Sequence, residues 1–364
     1  MLAAGRASHN GPMPPPQRFD LSRDDPSAAR DAAAAALERG ELVVLPTETV
    51  YGLAAREDRP AALRRLEVVK HGRLQPYSLA VASPEMLADR LAPLPRLARR
   101  IADRWWPGPV TQLLPTRDGP LVGVRVPGHA WTRELIAQVG VPLLLPSANP
   151  PGETAPRDAG GIDRAVLEQA AVVVDGGHTA LGEASTVLEP RAWVLRVARE
   201  GVIGRGDLER QILPRILIVC SGNTCRSPIA QKLLERELRR AAGEEWMVPV
   251  VESAGLQAMP GLPATELSIE ALAARGLDLS GHRTRPVDRA LLERTDLALG
   301  MTIRHVELLR DRTAGRPLPV ELFDPAGHDV EDPFGGTAAE YRSVTVALER
   351  MAQERARQLL EAST

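Results

Sequence analysis

The sequence predicts an α/β protein of two domains, and three observations carry this. At 364 residues the chain is too long for one average domain, and 44% hydrophobic residues suffice for two cores. Two short runs of β-branched residues and leucine, at 42–45 and 216–219, each pass through a polar loop towards helical patterning. From Arg215 onward, strand and helix patterns alternate, which predicts a small parallel sheet with helices on both faces.

Taken in order, the first 19 residues contain Pro and Gly and lack an apolar stretch of signal-peptide length. A disordered start and a cytoplasmic protein are expected, and no run of about 20 apolar residues suggests a membrane span. Residues 26–39 are Ala-rich and helical, ending at Gly40. The strand at 42–45 runs into Pro46-Thr47-Glu48-Thr49-Val50-Tyr51-Gly52, whose hydroxyls on their own read as caps for the next helix. A strand is expected at 121–126, with Arg125 facing outward. Residues 200–214 carry Gly, charge and a final Pro. A domain boundary is therefore expected there, with 20–205 as one domain, 206–214 as linker and 215–364 as the other. No repeat links the halves, so they read as a fusion.

The second half opens on its most informative stretch. Residues 216–219 do not alternate, as expected of a strand buried on both faces. The loop Ser221-Gly222-Asn223-Thr224 includes two residue types that tolerate positive φ. Pro228 fits the first position of a helix, and Ile229, Ala230, Leu233, Leu234 and Leu238 give that helix one apolar face. Cys220 thus ends a strand beneath backbone N–H groups and a helix N-terminus, an anion site with a thiol in it. Cys220 and Cys225 are the only cysteines, which excludes a disulfide scaffold and gives no thiol cluster for a metal. A net charge of −2 and 3% aromatic content give no overall pull on nucleic acid. Further strands are expected at 248–251 and 296–301, and a helix at 267–274 ended by Gly276. The last helix is expected at 338–360, with Tyr341, Val344, Leu348 and Met351 as its packing face.

The motif Cys220-Ser221-Gly222-Asn223-Thr224-Cys225-Arg226-Ser227-Pro228 resembles the phosphate loop of the low-molecular-weight protein tyrosine phosphatases. A strand end and helix N-terminus favour a thiolate nucleophile at Cys220. Arg226 can hold two phosphoryl oxygens, and Ser227 can assist the thiolate as leaving group. The resemblance implies that Asn223 shapes the loop, with Ser221, Gly222, Thr224 and Cys225 completing it. Asp332, in Asp332-Pro333-Phe334-Gly335-Gly336, would be the acid and then the base; by itself Asp-Pro is an ordinary turn. His282 reads as a structural histidine. Cys225 reads either as an oxidative partner of Cys220 or as filler under the loop. Thr224 and Phe334-Gly335-Gly336 are similar to the branch containing bacterial protein-arginine phosphatases, so phosphoarginine stands ahead of phosphotyrosine on a protein substrate. An arsenate reductase of the thioredoxin-coupled kind would need further cysteines.

Residues 41–53 also carry a resemblance, continued at Trp106-Pro107-Gly108-Pro109-Val110-Thr111, Val124-Arg125-Val126-Pro127, Pro146-Ser147-Ala148-Asn149, Ser185-Thr186-Val187 and 199–203. These segments resemble the YrdC/Sua5 family, the threonylcarbamoyl-AMP synthases. The resemblance implies a twisted mixed sheet around an electropositive pocket that condenses threonine, bicarbonate and ATP. The product would serve tRNA threonylcarbamoyladenosine formation, with tRNA, double-stranded RNA and tRNA-modification proteins as partners. Thr47 and Tyr51 would line the threonine pocket. Arg125, Ser147, Asn149 and Arg199 would meet nucleotide or phosphate, with Lys70, Arg73, Thr111 and Ser185 completing the set. Mg²⁺ would accompany ATP as substrate, with no resident metal. The family's Lys-x-Arg element falls in ungapped register on His71-Gly72-Arg73, one place after Lys70. A neutral imidazole is a poorer phosphate partner than an ammonium, so a one-residue bulge restoring Lys70 separates a synthase from a non-catalytic nucleotide- or RNA-binding module.

Overall fold

The computed structural model describes residues 14–72 and 77–361, and the chain divides into two compact units. The first takes in residues up to 94, 99–189 and 198–204; the second takes in 95–98, 190–197 and 205 onward. Of the expected site residues, Arg73 lies outside the described residues, as do residues 1–13 of the expected disordered start. No helix of the described residues is long and apolar enough to cross a membrane.

Ten strands of the described residues lie before residue 200. They are β1 (Gln17–Asp20), β2 (Leu42–Leu45), β3 (Gly52–Arg56), β4 (Leu79–Ala80), β5 (Val110–Leu114), β6 (Val122–Arg125), β7 (Leu143–Leu144), β8 (Ala170–Asp175), β9 (Thr186–Pro190) and β10 (Leu195–Arg199). Their order in the sheet is β1-β8-β2-β3-β7-β4-β6-β5-β9-β10. The sheet is mixed, with parallel pairs such as β2 with β8 and antiparallel ones such as β2 with β3. Strand β2 shows why its apolar run is continuous. Val43 and Leu45 pack with Ala33, Leu37 and Leu135 from helices Pro26–Glu38 and Ala130–Val139. Leu42 and Val44 pack on the other face with Ala62, Leu66 and Val69 from helix Pro60–Val69. A strand covered on both sides has no solvent face on which polar residues could alternate.

The second unit carries β11 (Arg215–Cys220), β12 (Trp246–Met247), β13 (Val250–Gly255), β14 (Leu297–Gly300) and β15 (Val320–Leu322). Four of these form a sheet in the order β13-β11-β14-β15, with every neighbouring pair parallel. Ile216 and Ile218 face the helices Arg226–Ala242 and Ala338–Glu361 through Ile229, Leu233 and Leu348. Leu217 and Val219 face Leu291, Val306 and Leu309 on the other side. Tyr341, Val344, Leu348 and Met351 are all buried, the face their spacing predicts. Residues 195–196 pair antiparallel with β12 and cluster with this unit.

Four expectations need correction. The disordered start was drawn too long: Gln17–Asp20 form β1, paired in parallel with residues 172–175 of β8. The linker is largely helical over Arg205–Gln211, where Leu208 is buried and anchors the segment. The helix after the thiol loop begins at Arg226, so Pro228 is its third residue and not its first. The position is still among the first four, whose N–H groups have no intrahelical acceptor to lose. The strand expected at 248–251 begins at Val250 and runs to Gly255, in register with the whole of β11.

Candidate active sites

In the second unit the loop after β11 folds over the end of the strand and is fixed from below. The Cys220 and Ser221 carbonyls accept from the N–H groups of Leu256 and Gln257, each at 3.0 Å. A Cβ at Gly255 would lie 2.5 Å from the Ser221 carbonyl oxygen and 2.9 Å from Asn223 N, so only glycine lets the two segments approach this closely. Asn223 is fully buried with φ +58°, in the left-handed region. Its Nδ2 donates to Ser227 Oγ and Ser253 Oγ at 3.0 Å, and its Oδ1 accepts from Arg285 N at 3.1 Å. His282 Nε2 donates to its carbonyl at 2.7 Å, a structural role.

This frame points donors at one sulfur. Asn223 N donates to Cys220 Sγ at 3.2 Å. Ser227 Oγ accepts from Asn223 Nδ2 and sits 3.0 Å from the same sulfur, a nearer partner for its hydrogen than the Ala254 carbonyl at 3.5 Å. The thiol is 3% exposed and opens onto a cavity of about 230 Å³ bordered by Ser221, Gly222, Thr224, Cys225, Arg226 and Asp332. Arg226 is buried, donates to the Val330 carbonyl at 3.1 Å and pairs through its other nitrogen with Asp332 Oδ2. Asp332 Oδ1 accepts from Phe334 N at 3.2 Å, which holds the Asp-Pro turn. Cys225 Sγ lies beneath, 3.3 Å from the Tyr341 hydroxyl and 3.5 Å from Thr224 Oγ1. A thiol, a guanidinium and a carboxylate converge on a space the size of a phosphoryl group and part of its leaving group.

Two residues of this site have no counterpart among the sequence expectations. Gln257 borders the cavity beside the loop. His305, from helix Ile303–Arg312, places Nε2 3.0 Å from Ser221 Oγ and Nδ1 2.6 Å from Thr302 Oγ1. Burial, with the Arg226 charge nearby, pushes its pKa down to about 4. The signal for His305 is local: it stands three residues after Thr302, the N-cap of its helix.

The first unit holds a larger cavity of about 530 Å³. Lys70, Thr111, Ser147, Asn149 and Arg199 border it. Ser185 joins them through Thr111 Oγ1 at 2.9 Å and through Arg199, which donates to the Ser185 carbonyl at 2.8 Å. Lys70 is the C-cap of helix Pro60–Val69; its Nζ donates to the Ser147 and Asn149 carbonyls at 2.7 and 2.6 Å. Burial lowers its pKa to about 8. Two of the ammonium's three hydrogens are used, and the third is available to a ligand. His71 follows at φ +51° and is exposed, so the chain turns away and the lysine, not the histidine, faces the cavity. Asn149 Nδ2 donates to the Glu153 carbonyl at 2.6 Å, while its buried Oδ1 has no partner. Burial, and then the charge of Arg125, lower the Arg199 pKa.

Thr47, Tyr51 and Arg125 do not border this cavity. Thr47 Oγ1 donates to the Val50 carbonyl at 2.6 Å and closes its own turn. The Tyr51 ring is fully buried, and its hydroxyl ties together Asp175 Oδ1, the Gly177 carbonyl and Gly176 N. Arg125 pairs with Glu48 at 2.6 Å and donates to Thr49 Oγ1 at 2.8 Å. All three hold the β2–β3 loop in shape. Among the described residues no group of three or more His, Cys, Asp or Glu side chains is gathered to hold a metal ion.

Comparison with known proteins gives a family to each half. The Sua5/YciO/YrdC family model, described as telomere recombination, matches residues 35–201, and that of the low molecular weight phosphotyrosine protein phosphatases matches 215–363. The chain is 34% identical over 207 residues to the threonylcarbamoyl-AMP synthase of Bacillus subtilis, covering 54% of this chain and only 59% of that relative's length. The same-named protein of Chromohalobacter salexigens is 36% identical over 165 residues, 43% of this chain and 89% of its own. In the second half, the protein-arginine-phosphatase of Bacillus subtilis is 34% identical over 148 residues, 40% of this chain and 95% of its own. The low molecular weight protein-tyrosine-phosphatase Wzb of Escherichia coli K12 is 37% identical over 152 residues, 40% of this chain and 94% of its own. The chain belongs to the Sua5/YciO/YrdC family through its first half and to the low-molecular-weight phosphotyrosine protein phosphatase family through its second.

Proposed function

We propose that the chain is a bifunctional enzyme, a cysteine-dependent protein phosphatase joined to a threonylcarbamoyl-AMP synthase. For the phosphatase, the carrying observation is that Cys220, Arg226 and Asp332 share one cavity. Cys220 Sγ attacks phosphorus and forms an S–P bond as the bond to the leaving oxygen or nitrogen breaks. Asp332 gives its proton to that atom. Asp332 then takes a proton from water, which attacks phosphorus, breaks the S–P bond and releases inorganic phosphate. Arg226 and the loop N–H groups hold the phosphoryl oxygens, and the Ser227 hydroxyl supports the departing thiolate. The Arg226–Asp332 pair must open to admit a phosphoryl dianion between them.

Phosphoarginine is the preferred substrate in this reading. Thr224 presents a branched hydroxyl residue to the cavity, and Gln257 and Asp332 offer acceptors to guanidinium N–H groups at its border. Phosphotyrosine is the second reading, supported by the likeness to Wzb. The test compares kcat/KM of the full-length protein on phosphoarginine and phosphotyrosine peptides. At least a tenfold preference for phosphoarginine is expected, and a preference for phosphotyrosine overturns the assignment.

For the synthase, the carrying observation is that Lys70 turns into the first cavity beside the unpartnered Asn149 Oδ1 and near Arg199. Lys70 and Arg199 suit the phosphates of ATP, and Asn149 Oδ1 can accept from the adenine amino group or the threonine ammonium. Mg²⁺ enters on ATP as part of the substrate. Both halves act in the cytoplasm, with tRNA, double-stranded RNA and tRNA-modification proteins downstream of the first. Pyrophosphate release from ATP that depends on both threonine and bicarbonate is the expected result. Nucleotide binding without such release would make the first half a binding module.

A further inference from the structure

We infer that His305 is a positioning residue of the phosphate loop, which sets the direction of the Ser221 hydroxyl so that its hydrogen points into the cavity. The inference rests on the phosphatase reading of that cavity. It begins with how His305 reaches the loop. Helix Ile303–Arg312 follows β14 directly, and Gly300 lets it pack close: a Cβ there would lie 2.9 Å from Val306 and 3.1 Å from the His305 Cβ. His305 is 6% exposed and meets Ser221 Oγ at 3.0 Å through Nε2.

The tautomer decides what Ser221 can do. Thr302 Oγ1 accepts from His305 N at 3.4 Å as the helix cap and lies 2.6 Å from Nδ1. If Nδ1 carried the proton, Thr302 Oγ1 would accept twice, and its own hydrogen would have no partner among the described residues. With the proton on Nε2, Thr302 donates to Nδ1, and the one hydrogen without a partner among the described residues is that of Ser221, at the cavity border where a bound phosphoryl oxygen can accept it. Nε2–H then donates to Ser221 Oγ, and the Ser221 hydrogen is left free. Ser221 borders the cavity, so that hydrogen is available to a phosphoryl oxygen. The opposite tautomer would draw the Ser221 hydrogen to Nε2 and turn a lone pair towards a dianion. The low pKa of His305 fits a ring that stays neutral while it does this.

The test uses the full-length protein with inorganic phosphate as ligand, read by calorimetry, and p-nitrophenyl phosphate as substrate. Ser221→Ala should weaken phosphate binding about 10- to 100-fold, the size of one hydrogen bond to a charged group. His305→Ala should match it, and the double variant should be no weaker than Ser221→Ala alone. A glutamine amide nitrogen reaches the place of Nε2, whereas an asparagine reaches only that of Nδ1. His305→Gln should therefore stay within about twofold of the parent, and His305→Asn should resemble His305→Ala. Should His305→Ala fail to fold, the Gln and Asn pair still decides. Nitrogen NMR of the parent provides a separate readout, with the Nε2–H tautomer expected at His305. Additive losses in the double variant, parental phosphate affinity in His305→Ala, or an Nδ1–H tautomer each overturn the inference. A parent that binds phosphate yet turns over no substrate would instead refute the phosphatase reading, and one that binds no phosphate refutes both.

Discussion

Asn223→Ala should be among the most damaging single substitutions in the second unit, and its cost can be worked from the contacts. The substitution removes two donations from Nδ2, to Ser227 and Ser253, and one acceptance by Oδ1 from Arg285 N. Ser227 keeps Cys220 as a partner and Ser253 keeps Gln231, so those losses are about 0.5–1.5 kcal/mol each. The part-buried Arg285 N–H has no other acceptor among the described residues, and orphaning it costs up to about 1–3 kcal/mol. Alanine at φ +58° adds about 1–2 kcal/mol of backbone strain that asparagine partly avoids. The total is about 3–8 kcal/mol, comparable to the whole stability of many domains. Asn223→Gly loses the same side-chain contacts without the strain, so it should be less destabilised than Asn223→Ala by about 1 kcal/mol. Equilibrium urea unfolding of the parent and both variants measures this directly. An alanine variant within about 1 kcal/mol of the parent, or a glycine variant no better than alanine, would refute the reasoning.

Three further outcomes follow from the charges. Lys70→Ala should weaken ATP binding about 10- to 100-fold, whereas His71→Ala should change it less than about twofold, because the lysine alone faces the cavity. The parent's ATP affinity should fall as pH rises through about 8, where the buried ammonium loses its proton, and equal affinity well on either side of that value would contradict the assignment. Asp332→Asn keeps the shape of the acid but not its proton, so kcat should fall about 10²- to 10³-fold on substrates with poor leaving groups. The fall should be smaller on p-nitrophenyl phosphate, whose leaving group needs little protonation; a uniform loss would argue that Asp332 acts only by holding Arg226.

Much of the fold and one site were legible in the sequence because local patterns specified them. The apolar runs of β2 and β11 and the apolar faces of the helices beside β11 are each contained in one short stretch. The thiol loop likewise carries its turn residues, its anion-binding backbone and its nucleophile within a few positions. What was illegible depends on partners far along the chain. Strand β1 is a short polar segment that exists because residues 172–175 pair with it. His305 and Gln257 reach the phosphate loop from separate elements. Around residues 70–71 the difficulty is different: Lys70 caps the helix and the chain enters the left-handed region at His71, so ungapped sequence register leaves open which of the two side chains faces the cavity. Thr47, Tyr51 and Arg125, expected at ligand, hydrogen-bond within the chain around the β2–β3 loop, partners that sequence patterns do not reveal.

The central claim, two separate active sites in one chain, is tested most directly by running both assays on the same preparations of full-length protein. Threonine- and bicarbonate-dependent pyrophosphate release and phosphomonoester hydrolysis are measured for the parent, Cys220→Ser and Lys70→Ala. The account predicts that Cys220→Ser abolishes hydrolysis and leaves pyrophosphate release at the parental rate, with Lys70→Ala showing the converse. A parent with only one of the activities, or a Cys220→Ser variant that loses both while remaining folded, would contradict it.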